Sequence, residues 1–170
     1  MAGGRRLAAL LSVFLLLCNP SLAQEDRGLD KASDGRFTGL VVVTDDLDWY
    51  DMFARPEVPQ FSGKSHFVPG DWGSLAIIFS NAEAIDGQVE IRCDIEAFDP
   101  SGSKQVATDH VCYAGPYRGP NILHPTLVDL RFSITVDDPP GPAGFKVTLR
   151  DAISDREVAL EVGFTQGAKS

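Results

Sequence analysis

Two cysteines, Cys93 and Cys112, are the residues best suited to chemistry in this 170-residue chain. Paired thiols form a disulfide or act in redox reactions, but redox pairs usually have a Cys-x-x-Cys spacing that this pair lacks. Asp109 and His110 lie beside Cys112 and would suit a cysteine–histidine nucleophile, which a disulfide at Cys112 excludes. Because an even pair in an exported chain favours cross-linking, we predict a structural disulfide between Cys93 and Cys112.

The turn sequence Asp99-Pro100-Ser101-Gly102 predicts a hairpin between residues 87–98 and 104–112. Tight-turn geometry places Asp109 or His110 opposite Cys93 and makes Cys112 only a diagonal neighbour. Since a disulfide needs Cα atoms within about 7 Å, a bulge or a departing strand end must bring Cys112 closer.

A run of carboxylates is the second candidate for chemistry, and it comprises Asp45, Asp46, Asp48 and Asp51. Clustered carboxylates are a usual source of calcium ligands, but this spacing does not match the EF-hand loop. A short helix within residues 44–54, capped by Thr44 or Asp45, with Asp46 and Asp48 in its first turn and ended by Pro56, explains two of the four acids. We favour helix capping, and calcium binding is the alternative.

Three histidines, His66, His110 and His124, are scattered without the spacing of a metal site. The chain also has no nucleophile elbow, phosphate-binding loop or dinucleotide fingerprint. We therefore expect a non-catalytic protein with no cofactor and no catalytic or metal-binding residues. A hydrolase or redox protein without a recognisable motif is a further hypothesis.

Aromatic side chains in connecting segments are the best candidates for a partner-binding surface, namely Trp49, Tyr50, Phe53, Tyr113 and Tyr117. On the short helix, Tyr50 and Phe53 share a stripe that must be buried, whereas Trp49 lies off that stripe. We predict that Trp49 faces outward as an anchor. The alternative is that most of these rings plug one end of the core.

Alternation of apolar and polar residues dominates the chain from Phe37 onward and is typical of half-buried antiparallel strands. Residues 37–43 and 75–79 are more continuously apolar and suit central strands. Regular turns separate the runs, and one short helix follows the first strand. The pattern predicts an all-β fold: an immunoglobulin-like antiparallel β-sandwich of about seven strands. The alternating runs are residues 89–95, 128–136, 145–149 and 158–164.

The N-terminus has the pattern of a secretory signal peptide over residues 1–23, with Arg5 and Arg6, an apolar stretch, and a cleavage site after Ala23. We expect a flexible leader over 24–36, one domain over 37–166, and a tail over 167–170. The formal charge is −9, and cleavage would leave −11. Such a charge disfavours binding to nucleic acid or anionic lipid, and no later segment predicts a stable membrane span.

Residues 87–165 resemble the immunoglobulin-like and macroglobulin-like domains of bacterial exported proteins. The resemblance lies in the turns at 99–102 and 138–141, in the strand 144–149 followed by Asp151, and in the strand end at 162–164. It does not extend to the helix at Trp49 or to the cysteine pair. The resemblance implies an adhesive or assembly module rather than an enzyme.

These observations together predict a periplasmic or secreted module that binds an unknown protein partner through a sheet edge or its end loops. A sandwich that binds a small ligand or calcium is the alternative.

Overall fold

A computed structural model describes residues 28–167, which form ten β-strands and one 3₁₀ helix. The predicted signal peptide lies outside the described residues. The helix spans Trp49–Ala54, and the strands are β1 (Leu29–Asp34), β2 (Phe37–Thr44), β3 (His66–Phe67), β4 (Trp72–Ser80), β5 (Gln88–Asp99), β6 (Gly102–Pro116), β7 (His124–Pro125), β8 (Leu130–Ser133), β9 (Gly141–Asp151) and β10 (Arg156–Gln166).

The strands form two sheets of five. In the first sheet β1, β2, β4 and β7 follow one another, and β8 pairs with β4 beside β7; the second sheet has the order β3, β10, β9, β5, β6. Every pairing is antiparallel except the short parallel contact of β3 with β10. Within residues 28–167, no helix has the length and apolar character that crossing a bilayer requires.

The main core contains side chains of both sheets, because each strand turns alternate residues inward. Val89, Ile91 and Ile95 are buried on β5, and Val158, Leu160 and Val162 are buried on β10. This alternation is the one that the sequence predicts, so the all-β class is confirmed.

The N-terminal leader is the clearest error of the sequence-based prediction. Residues 29–34 form β1, which pairs with β2 along its whole length, from Leu29 opposite Val42 to Asp34 opposite Phe37. Gly28 precedes the strand at φ +58°, and a β-carbon there would lie 2.8 Å from the carbonyl oxygen of Lys64. The segment looked like a linker because β1 is mostly exposed and therefore polar.

The predicted long strand over 128–136 is also shorter than expected, since only Leu130–Ser133 are extended against β4. The Asp138 carboxylate accepts hydrogen bonds from the Thr135 amide (2.6 Å) and hydroxyl (2.9 Å), which closes a turn. Val136 lies in that turn and is 84% exposed. Side-chain capping therefore ends the strand although the apolar alternation continues.

The predicted disulfide between Cys93 and Cys112 is confirmed, with a Cα–Cα distance of 5.9 Å. His110 pairs with Cys93, and the register shifts where Arg92 pairs with Val111 but Ile91 pairs with Tyr113. Cys112 is the extra residue of that bulge. The bulge thus brings the second cysteine within reach of the first, and both sulfurs lie in the core.

A second apolar cluster covers the outer face of β2 and β4. It contains Val42, Ala76 and Ile78 of these strands, with Trp49 of the helix and, at its edge, Phe61. Both faces of β2 and β4 are therefore buried, which explains why their sequences are continuously apolar. The segment after the helix covers this sheet face rather than one end of the fold.

Candidate functional site

Trp49 is buried, and the prediction that it faces outward is wrong. Its side chain is 3% exposed, and its indole Nε1–H donates to the Ser74 hydroxyl at 3.0 Å. The element is a 3₁₀ helix, in which residues three apart are eclipsed, so Trp49 and Met52 share the face that packs on the sheet. Tyr50 points away and is 46% exposed. Trp49 consequently anchors the helix to β4.

A groove of about 340 Å³, which we call the loop groove, lies beside this helix. Phe53 and residues 55–59 line one side, and Arg118 and residues 121–123 line the other. Val58 is 77% exposed, and Ile122 is also exposed. Unusual apolar exposure next to a concave surface is typical of binding sites in soluble proteins.

Both walls of the loop groove are held by defined contacts. The Phe53 ring packs on Trp49 (centroids 6.2 Å apart) and on Phe61 (5.8 Å). On the opposite wall, the Asn121 amide donates to the Asn81 side-chain oxygen at 2.8 Å. These contacts fix Phe53 on one wall and Asn121 on the other.

The net charge of the groove lining is positive, opposite in sign to the net charge of the protein. Arg55 and Arg118 lie on opposite walls, and Glu57 is the only acidic residue of the lining. Neither arginine forms an ion pair with another residue of the described range 28–167. A chain with a formal charge of −9 thus presents a locally cationic groove.

Tyr113 and Tyr117 lie in a separate aromatic cluster around His124. The His124 ring stacks on Tyr117 (centroids 5.2 Å apart) and on Phe79 (5.1 Å), while Tyr113 meets its edge. Both tyrosines are half-buried. Leu123 packs on the outer cluster, whereas the neighbouring His124 packs on the core residue Phe79. The five predicted aromatic residues therefore lie in two separate groups.

His124 is 1% exposed, and its Nε2 atom has no hydrogen-bond partner within residues 28–167. Burial lowers the pKa of this imidazole from its usual 6.5, and the charge of Arg118 lowers it further. Protonation is therefore less favourable in the folded state than in the unfolded chain.

This difference predicts a pH-dependent stability. Below pH 6.5 the unfolded state takes up a proton at His124 that the folded state does not, so the free energy of unfolding should fall. The loss should approach about 1.4 kcal/mol per pH unit until the folded pKa is reached. Urea unfolding at pH 7.5 and 5.5 measures it. The variant His124→Phe preserves the stacking and should remove this component, and an equal loss in that variant would contradict the assignment.

The carboxylates predicted to cap the helix or bind calcium engage in separate local contacts. Asp45 pairs with Lys64 (3.2 Å), and Asp46 accepts the amide of Asp48 (3.0 Å). The helix begins at Trp49 with Asp48 at its cap position, so the prediction that Thr44 or Asp45 caps it is wrong. The Thr44 hydroxyl instead accepts the Asp46 amide (3.1 Å) in the preceding turn. Among residues 28–167, no group of three or more His, Cys, Asp or Glu side chains could hold a metal ion.

The residues around Cys112 that suggested a nucleophile are also committed to other contacts. Arg92 holds both carboxylate oxygens of Asp109, at 2.6 and 2.9 Å, and this guanidinium lowers the pKa of Asp109. His110 is exposed on β6, and the disulfide takes both thiols. The cysteine–histidine hypothesis therefore has no free thiol to act through.

The outer edge of β6 is the longest sheet edge in the described part of the chain, and it is irregular. Three register shifts interrupt the pairing of β6 with β5 on its inner edge. The Gln105 side-chain amide turns back to the Ile95 carbonyl at 2.8 Å, and the Leu127 amide donates to the Cys112 carbonyl at 2.7 Å. Bulges are a common protection against strand addition, so the β6 edge is a poor template for an added strand.

Sequence reasoning identified Tyr50 and Phe53 beside the groove but missed Arg55, Val58, Arg118 and Ile122. An apolar residue between two prolines, as at Val58, was the available signal, since such a residue has no sheet in which to be buried. The opposite wall had no comparable signal because only the fold brings residues 118–123 next to residues 53–59.

Comparison with known proteins finds no family model that matches this chain and no curated protein that matches it.

Proposed function

We propose that this protein is a non-catalytic, exported module that binds a protein partner through the loop groove. The observation that carries the proposal is the apolar and locally cationic groove between residues 53–59 and 118–123. The signal-like N-terminus and the disulfide favour the periplasm or the extracellular medium. The two sheets with a shared core support an immunoglobulin-like sandwich as the scaffold.

In this proposal the five aromatic residues have two different roles, contact with the partner and support of the groove walls. Tyr50 and Phe53 contribute to the contact surface, together with Val58 and Ile122. Trp49 holds the helix on the sheet, and Tyr113 and Tyr117 hold the start of the opposite wall through their packing on His124. Loops on a rigid scaffold are the usual location of such surfaces.

The groove also indicates what the partner presents. An apolar side chain would fill the space between Val58 and Ile122, and an acidic group would meet Arg55 or Arg118. Charged rims contribute mainly to orientation and association rate, whereas the buried apolar contact contributes most of the affinity. A short segment with one large apolar residue next to an Asp or Glu has this chemistry.

Replacing Val58 with Asp tests the proposal, since it puts a charge at the centre of the apolar contact. We expect recovery of the partner in crosslinking and co-purification to fall by more than about tenfold, as typical for loss of an interface anchor. The matched control is Val136→Asp, because Val136 is equally exposed (84% against 77%) but lies in the turn after β8.

The control variant should recover the partner as the wild type does, and both variants should melt at the wild-type temperature because neither side chain is buried. Equal recovery with Val58→Asp and Val136→Asp would contradict the proposal.

A further inference from the structure

A second concave surface, the inter-sheet cleft, opens between the two sheets on the side away from β1. Its volume is about 470 Å³, within the range of sites that bind small molecules. The β8 strand and the turn after it form one lip, and β5 and β6 form the other. The cleft shares none of its lining with the loop groove.

The floor of the inter-sheet cleft is aromatic. Phe132 stacks on Phe164 with centroids 5.2 Å apart and contacts Phe145 at 5.6 Å. Phe98 adds a side wall next to Gly144, where a β-carbon would lie 2.7 Å from the Phe98 ring. The absence of a side chain at Gly144 thus keeps the aromatic wall close to the floor. Such a surface favours an aliphatic or aromatic body over a polar one.

The rim of the cleft carries two cations, Lys104 and Arg131, and two carboxylates, Asp99 and Asp138. Asp99 accepts the Ser101 amide at 2.6 Å, and Asp138 accepts both donors of Thr135, so both carboxylates cap turns. Lys104 makes no ion pair with any residue of the range 28–167. Arg131 uses only Nε, for Asp129 at 2.9 Å.

We propose that the inter-sheet cleft binds an amphipathic small molecule, a carboxylate with an apolar tail. The tail would lie on Phe132, Phe145 and Phe164, and the carboxylate would meet Lys104 of β6 or Arg131 of β8 at the mouth. Lys104, which makes no ion pair within residues 28–167, and the free Nη atoms of Arg131 favour a carboxylate over a neutral lipid. The inference is independent of the loop groove and of its protein partner.

Calorimetric titration with hexanoate, octanoate and decanoate tests the apolar part of the proposal. Because each buried methylene contributes about 0.8 kcal/mol, affinity should rise about fourfold for each added methylene until the cleft is filled. Amide chemical-shift changes on titration should concentrate at residues 130–134, 143–145 and 164–166. Affinity independent of chain length, or shifts concentrated at residues 53–59 and 118–123, would overturn the proposal.

Charge recognition is tested with the double variant Lys104→Gln, Arg131→Gln and with decanol as the uncharged probe. Since exposed ion pairs contribute modestly, decanoate affinity should fall about fivefold while decanol affinity stays unchanged. Lys31→Gln on exposed β1 is the matched control and should change neither. Because Lys104, Arg131 and Lys31 are all exposed, the variants should fold. An equal change for decanoate and decanol would overturn the role of the two cations.

Discussion

A chain that begins at Gly35 should unfold at a much lower urea concentration than a chain that begins at Gly28. The truncation removes β1 and its six-residue pairing with β2. It also removes two side-chain contacts across the fold, because Asp30 accepts the Glu161 amide (2.8 Å) and Asp34 accepts the Glu157 amide (3.3 Å). At about 1 kcal/mol for each lost hydrogen bond, the cost is a large share of a typical stability of about 5–15 kcal/mol.

The same truncation should promote self-association. The free edge of β10 presents the Glu157 and Glu161 amides, and β1 covers them with carboxylates. An uncovered strand edge is a template for pairing with another chain. Size-exclusion chromatography of the two chains measures the effect. The chain beginning at Gly28 keeps all of β1 and is the control, and identical unfolding and elution of both would show that β1 is dispensable.

Asp151 is the second position where a large effect is expected. It is fully buried at the end of β9, and its carboxylate accepts the Glu83 amide (2.7 Å), the Ser154 hydroxyl (2.7 Å) and the Ile153 amide (3.1 Å). Asp151→Ala leaves these donors without an acceptor. Because each lost hydrogen bond costs about 1 kcal/mol, and more when the acceptor is charged, the free energy of unfolding should fall by about 3 kcal/mol.

Graded variants separate the hydrogen bonds from the packing. Asp151→Asn keeps one acceptor oxygen at nearly the same volume, so its loss should be smaller than that of Asp151→Ala. Asp137→Ala is the control, since Asp137 is exposed in the turn after β8 and should change stability by less than about 0.5 kcal/mol. Chemical denaturation of the three variants gives the comparison, and an Asp151→Ala protein as stable as the control would refute the assignment.

Local patterns were sufficient for the predictions that depend on neighbours along the chain. The alternation in β5, β9 and β10 predicted which residues face the core, because successive side chains of a strand point to opposite faces. The turn at residues 99–102 predicted a hairpin with Asp109 or His110 opposite Cys93, and His110 is the partner, although two register shifts between Glu96 and Cys93 contribute to that pairing. Turn residues thus predict which strands pair in a hairpin, whereas bulges along the strands set the final register.

Predictions failed where a distant segment changes the environment of a residue. Trp49 is buried because β4 supplies both an apolar face and the Ser74 hydroxyl, neither of which the helix sequence specifies. Residues 29–34 form a strand because β2 supplies backbone hydrogen-bond partners and because Asp30 accepts an amide hydrogen bond from β10. Polar residues can make both kinds of contact. Val136 is exposed because the hydrogen bond from the Thr135 amide to the Asp138 carboxylate closes a turn that contains Val136.

Sequence alone therefore determined the β-rich class, the disulfide and the orientation of the regular strands, since these follow from periodicity and short-range geometry. The tertiary structure decided which apolar side chains remain exposed. The loop groove joins residues about 60 positions apart, and the inter-sheet cleft joins strands of both sheets. Both surfaces exist only after the sheets pack, because packing consumes some apolar residues and leaves others, such as Val58, without a partner within residues 28–167.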